Sequence, residues 1–427
     1  MFERRYRWDR TDQIVQQIHT DATPVTPGEK YSQYLWGYDA AGQVTKAVEP
    51  QKEERFFWDA AGNRTEEHRN PVWHNLLLRL DGLKLDYDGF GRLTRRQDKN
   101  GVVQHFAYDD EQRVKEITFT GHAEFRKVEY RYDPLGRRTH KILWRYAEKD
   151  PETIRFDWQG LQLAGEQSDR EPDHYVQYVY TEGSYEPLAR IDSVFDDCEI
   201  YWYHTELNGL PERVTDADGQ TVWRGQFSTW GKTERELSVP QWQVPQNLRF
   251  QGQYLDRESG LHYNLFRYYD PVAGRYTQMD PIGLAGGINT YGYVPDPLTW
   301  VDPLGLTCGL AKQGEDLYVG TYGQVRGGNL RSGLNPTHTP HHAIQNAASP
   351  TTHSRGITIN LRKDLHELTW TFKKPMVPGL TNREYLARDI VDLRKILRNA
   401  GYDKDIVNRQ LNELIRQNKE LWKTLEI

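Results

Sequence analysis

Residues 337–353 read THTPHHAIQNAASPTTH and hold four of the fourteen histidines in a chain of 427 residues. Imidazoles both ligate metals and move protons near neutral pH. Downstream, GITINL alternates β-branched residues like a strand and carries Asn360. LRKDLHELTW then reads as a short helix carrying His366. The order is His341-His342 in an extended segment, a loop, a strand, then a histidine on a helix. Such an order supplies metal ligands from two converging elements, and a neutral imidazole to take a proton from water attacking phosphorus. A solvated loop rich in histidine is the alternative, and His338 reads as a loop residue outside any site.

A second set of groups is acidic. DPIGL at Asp280 and DPLGL at Asp302 are near-copies lying 22 positions apart. Each alone reads as a turn, with Pro fixing φ and Gly taking positive φ. Held close together, two carboxylates share a proton, so that one serves as base toward water and the other as acid. Arg267 or Arg275, in FRYYDPVAGRY, is placed to orient one of them.

The elements that must position these groups differ across the chain. The 26 Tyr and 13 Trp favour strands, because rings pack well on a pleated, half-buried surface. Residues 1–306 carry 37 Lys+Arg against 49 Asp+Glu, a balance of −12, whereas residues 307–427 carry 18 against 12, a balance of +6. A basic tail on an acidic body implies different partners for the two. Two cysteines, Cys198 and Cys308, make no disulfide framework, and no apolar run reaches the length of a membrane span. No signal-peptide pattern opens the chain, so the expectation is synthesis in the cytoplasm and exit by a route without a cleaved signal.

The body is repetitive. YDAAGQVT at Tyr38, WDAAGNRT at Trp58, YDGFGRLT at Tyr87 and YDPLGRRT at Tyr132 share identity, and YDDEQRVK at Tyr108 is a degenerate copy. Their aspartates lie 20 to 29 residues apart, the spacing of stacked supersecondary units, and each unit reads as a β-hairpin.

This theme resembles the YD repeat of Rhs proteins, and GLHYNLFRYYDPVAGRYTQMDPIGLAGGINTYGYVPDPLTWVDPLGL, residues 260–306, closely resembles the C-terminal plug of their core. The resemblance implies a multidomain chain. An all-β YD-repeat shell spans 1–259, a plug with an autocleavage motif 260–306, and a variable toxin domain 307–427. It also implies self-cleavage between Leu306 and Thr307, with Asp280 and Asp302 as the catalytic pair. The family's N-terminal delivery domains are missing from these 427 residues, so the expectation is a fragment or a short orphan version, with contact to the secretion apparatus, type VI secretion being expected, through the missing N-terminal region.

The tail resembles the HNH/endonuclease VII nucleases with paired histidines, which implies a small α+β, ββα-metal-like domain. Mapped on that pattern, His341 binds a divalent metal (Mg, Zn or Ni), His342 is the general base, Asn360 orients the base or braces the hairpin, and His366 is the ligand from the helix. A second helical ligand would fall on Trp370, which cannot bind metal, so His353 is the candidate replacement. Together the resemblances imply an interbacterial toxin that cuts DNA in preference to RNA in the target-cell cytoplasm and is held in check by a cognate immunity protein. An ADP-ribosyltransferase effector and a non-enzymatic YD-repeat surface protein are the alternatives. Beyond the site, TNRE opens a helix with a capping box, Gly401 ends it, and a second helix follows; the stripes of Leu386, Ile390, Leu393 and Leu397 and of Val407, Leu411, Leu414, Leu421 and Leu425 read as core.

Overall fold

The structure, a computed structural model, describes residues 2–9, 13–21, 30–50, 52–182, 184–240, 242, 244–287, 289–306, 316–342, 344, 351–375, 377, 379–402 and 404–424. The chain divides into two compact units, Met1–Gly309 and Leu310–Ile427.

The first unit is built from antiparallel sheets. Five strands in chain order run from Phe2 to Arg55, and fifteen, again in chain order, run from Arg79 to Ser238. The repeat signature explains this regularity. Asp133 Oδ1 accepts from the backbone N–H groups of Leu135 and Arg137, and Gly136 supplies the positive φ of the turn, 80°. Asp39, Asp59, Asp88 and Asp109 make the same pair of bonds in their own turns. In the degenerate copy Gln112 takes the left-handed conformation at φ 64°, so the turn survives the loss of its glycine. The turns at Asp98 and Asp216 follow the same pattern without the aromatic, which carries the theme past the copies visible in the sequence.

The aromatic before each aspartate has its own role. Tyr87, Tyr108 and Tyr132 each sit at a β-bulge and donate their hydroxyl to a backbone carbonyl of an earlier strand or loop, Leu77, Leu93 and Val114 respectively. Trp158, also at a bulge, donates through Nε1 to Arg138, and Trp58, in regular register, donates through Nε1 to Val44. The bulge turns the ring toward the preceding hairpin, and the bond ties the two. Tyr108→Phe is expected to destabilise the body by about 1 kcal/mol, the net worth of one such bond. Chemical unfolding of the chain with and without the change measures it.

A smaller four-stranded sheet, Tyr254–Asp256, Leu261–Asn264, Arg267–Asp270 and Arg275–Tyr276, packs Leu261, Tyr263, Tyr268 and Ala273 into the core of the large sheet. Buried ion pairs fix its position: Arg96 meets Asp270 at 2.7 Å, and Arg138 meets Asp256 at 2.6 Å. The Arg138 guanidinium also lies over the rings of Tyr130, Phe156, Tyr254 and Tyr263, so a charge without water is held by both a carboxylate and π faces.

In the second unit we label β1 (Val319–Thr321), α1 (Tyr322–Ser332), β2 (His338–His342), β3 (Ile357–Arg362), α2 (Lys363–His366), α3 (Asn382–Asn399) and α4 (Lys404–Thr424). The sheet order is β1-β3-β2, antiparallel throughout, with β3 central. Ile357, Ile359 and Leu361 join the apolar stripes of α3 and α4 in one core. Thr381 caps α3 as the sequence predicts, accepting from Glu384 N while the Glu384 carboxylate accepts from Thr381 N. Two expectations need correction. The run LYVGTY, residues 317–322, reads in the sequence as one apolar strand, but it is a strand only over Val319–Thr321, because Thr321 and Gln324 form a capping box that starts α1 at Tyr322. The helix of LRKDLHELTW stops at His366 after four residues, so Trp370 is not one helical turn beyond it.

Candidate functional site

Asp280 follows the last strand of the small sheet, and Asp302 lies in the turn that ends the described part of the first unit. Each carboxylate divides its oxygens between two tasks. Asp280 Oδ1 accepts from Ile282 N at 3.0 Å, while Asp302 Oδ1 accepts from Gly305 N at 3.0 Å and Leu306 N at 3.2 Å. These are the turn bonds that the motifs announce. The two Oδ2 atoms share one guanidinium, Arg267 Nη2 lying 2.9 Å from Asp280 and 3.4 Å from Asp302. All three side chains are buried.

Of the two arginines considered, the structure brings only Arg267 to the pair. Arg275 turns the other way, to Asn63 and the Asn75 carbonyl. Arg267 also donates to the carbonyls of Gly305 and Thr290, which fastens the segment leading to Leu306. Gly286 leaves the room they need: a Cβ there would collide with Asp280 Oδ2 and come within 2.8 Å of the Leu306 carbonyl oxygen. Two carboxylates, one cation and a peptide carbonyl therefore share one small volume. Thr307, beyond the expected scissile bond, lies outside the described residues.

The histidines of the second unit form two groups on β2. His341, 1% exposed, sits between two partners: its Nε2 is 3.0 Å from the carboxylate of Asp389 on α3, and its Nδ1 is 3.0 Å from Nδ1 of His366 on α2. Burial raises the Asp389 carboxyl above its ordinary range, and His341 opposes that rise. Burial, followed by His341, pushes His366 down to about 4.

His342 is the next residue, and neighbours on a strand face opposite ways. It stacks on Tyr322 at 5.3 Å between ring centroids, beside His353 at 4.8 Å. Its Nε2 is buried without a hydrogen-bond partner. Burial, then His353, His341 and His366, push it down to about 4, which favours the neutral ring with a nitrogen open to a proton. His353 is thus placed with His342 and not with the His341–His366 pair, where the sequence reading had put it as a third ligand. Asn360 is fully buried and exchanges two side-chain bonds with Asn329 of α1, at 2.7 and 2.8 Å, which braces the sheet against that helix. Trp370 is removed from the site, its ring stacked on Tyr385 and covered by Arg388.

Gly356 matters to this geometry. A Cβ there would lie 2.9 Å from Cε1 and Nδ1 of His342. Gly356→Ala is expected to displace the ring and lower any activity that depends on His342, with little loss of thermal stability. A shift of the His342 ring signals in an NMR spectrum would register the displacement directly.

Among the described residues His19, Glu206 and Glu212 are a group of three whose ligand atoms lie close enough together to share an ion. Arg4 already lies against both glutamates and supplies the positive charge there.

Comparison with known proteins places the body. A family model described as RHS protein matches residues 200–236, the run of hairpins near the end of the large sheet. Over 296 residues the chain is 38% identical to double-stranded DNA deaminase toxin A of Burkholderia cenocepacia (strain H111), covering 64% of this chain and 20% of that protein. This chain is similar to Rhs proteins. Another Rhs relative, the probable deoxyribonuclease RhsA of Dickeya dadantii (strain 3937), is 34% identical over 263 residues, 59% of this chain and 17% of that one. A crystal structure of TcdB2-TccC3-Cdc42 aligns over 71% of this chain and 15% of that chain, with a TM-score of 0.48 and 19% identity. The chain spans about a fifth of the length of these curated Rhs relatives.

Two residues of the tail site escape sequence reasoning. Asp389 interrupts the apolar stripe of α3 between Leu386 and Ile390, and an acid in that place was the available signal. Tyr322 carried none, since its helix has little apolar pattern.

Proposed function

We propose that residues 307–427 form a metal-dependent nuclease domain acting on DNA, and that this chain carries it behind the repeat body as the toxin part of an Rhs protein. The observation that carries the reading is His341 held between Asp389 and His366 beside a half-buried His342 whose Nε2 is shielded from water. A histidine that ligates a metal through one nitrogen gives its other N–H to a carboxylate, and Asp389 is placed for that. His341 and His366 would hold the ion through their facing Nδ1 atoms. When bound, a divalent ion polarises a phosphate and stabilises charge on the leaving oxygen.

The chain's own residues supply the rest. His342, neutral through burial, accepts the proton of the attacking water. Tyr322 and His353 fix the plane of its ring, and Asn360 holds β3 against α1 so that β2 keeps its register. The order β2, β3, α2 supports the likeness to a ββα-metal site, and a relative named a deoxyribonuclease supports DNA as substrate. Incubating residues 307–427 with supercoiled plasmid and with total RNA, with and without chelator, tests this. Plasmid nicking that chelator abolishes is expected, and intact plasmid under all conditions would overturn it. A cognate immunity protein should protect the producing cell.

We propose further that Asp280 and Asp302 cut the chain between Leu306 and Thr307, freeing the tail. The shared Arg267, and the Leu306 carbonyl and Asp280 carboxylate that both border the space beside Gly286, support this reading.

A further inference from the structure

The cleavage pair has a partner that neither Asp-Pro motif contains. Tyr276, at the end of the small sheet, donates its hydroxyl to Asp302 Oδ2 at 2.9 Å. Its oxygen in turn accepts from Asn264 Nδ2 at 2.7 Å, and the same amide donates to the Asp302 main-chain carbonyl at 2.9 Å. With that oxygen occupied by Asn264, the phenol proton is directed at Asp302. The Tyr276 ring is buried and lies under the Arg267 guanidinium, 3.6 Å from its centroid, so it cannot swing away.

Resting on the reading of Asp280 and Asp302 as the cleavage pair, we infer that Tyr276 is a positioning residue that fixes Asp302 as the proton acceptor. The Tyr276 hydroxyl and the backbone N–H groups of Gly305 and Leu306 all donate to Asp302, which favours its carboxylate form, while Arg267 is shared with Asp280 and does not distinguish the two. Asp280, whose Oδ2 borders the same space beside Gly286 as the Leu306 carbonyl oxygen, keeps the shared proton. The step is a hydrolysis. Asp302 takes a proton from water as its oxygen bonds to the Leu306 carbonyl carbon. The bond to the Thr307 nitrogen breaks, and that nitrogen leaves with the proton of Asp280. One water is consumed and no oxidant or reductant is needed.

The test uses full-length chains carrying His342→Ala, so that template DNA survives, made by cell-free translation. After synthesis is stopped, aliquots go into buffers from acid to alkaline pH, and loss of the full-length band is timed. Tyr276→Phe is expected to cleave about 10- to 100-fold more slowly, the effect of removing one hydrogen bond to a charged group. The acid limb of its rate–pH curve should move to higher pH, because a carboxylate that loses a donor ionises less readily. A rate and curve equal to the parent's would overturn the inference. So would a slower rate with an unmoved curve, which is what altered packing alone produces. A parent chain that stays whole removes the cleavage reading itself, and is told apart because the parent has every group in place. Asn264→Ala frees the hydroxyl and spares the ring; it should move the curve in the same direction by less. If Tyr276→Phe does not fold, the Asn264→Ala curve decides, and superposition on the parent's sinks the idea.

Discussion

Asp280→Asn and Asp302→Asn chains are expected to stay whole on a denaturing gel, while the unaltered chain runs as pieces of 306 and 121 residues. The substitution is chosen to separate the two tasks of each carboxylate. Asparagine keeps an oxygen for the turn bonds to Ile282 N or to Gly305 N and Leu306 N, so the local backbone is preserved. It can neither take a proton from water nor deliver one. Removing a general acid or base costs ~10²–10⁴ in rate, enough to turn a cleavage complete within the time of expression into one not seen at all. Wild-type cleavage in both variants would show that the aspartates are turn residues only.

His342→Ala should abolish plasmid nicking and bacterial killing by the tail while leaving metal affinity nearly intact. The loss expected is again that of a general base, ~10²–10⁴-fold. His366→Ala should weaken nicking and metal affinity together, because its Nδ1 faces that of His341. His338→Ala should be close to silent. That residue lies about 13 Å from His342 along the strand, with its ring at 3.3 Å from Asp316. Calorimetric titration with Zn or Ni beside a nicking assay separates the three. Equal, harmless effects at all three positions would mean that the histidines only line a loop.

What the sequence revealed and what it hid follow from the range of the interactions. The turns of the repeat are local: Asp133 bonds Leu135 and Arg137 within four residues, so four copies sufficed to predict hairpins. The capping box at Thr381 is local too. The convergence of Asp280 and Asp302 showed only as a duplicated motif, and the choice of Arg267 over Arg275 was not legible, because both lie on strands of one small sheet whose facing is set by its neighbours. The partner of His341 lies 48 residues away on a helix that the leucine stripe had explained as core. Helix α1 was missed because YGQVRGGNLRS holds two interior glycines, each costing about 1 kcal/mol of helix propensity; the Asn329–Asn360 exchange and the Thr321 cap offset that cost only in the fold.

The ties between hairpins have an evolutionary side. Tyr38, Trp58, Tyr87, Tyr108, Tyr132, Trp158 and Tyr180 all donate to main-chain carbonyls, those of Ile14, Val44, Leu77, Leu93, Val114, Arg138 and Leu163. Every residue owns a carbonyl, so the acceptor places no demand on the identity of the residue that bears it. Drift at those positions leaves each tie standing, and only the donor ring is under selection for it. A duplicated or excised hairpin therefore finds a ready acceptor on whatever neighbour it inherits, which makes the array tolerant of unequal recombination in a way that side-chain pairing would forbid.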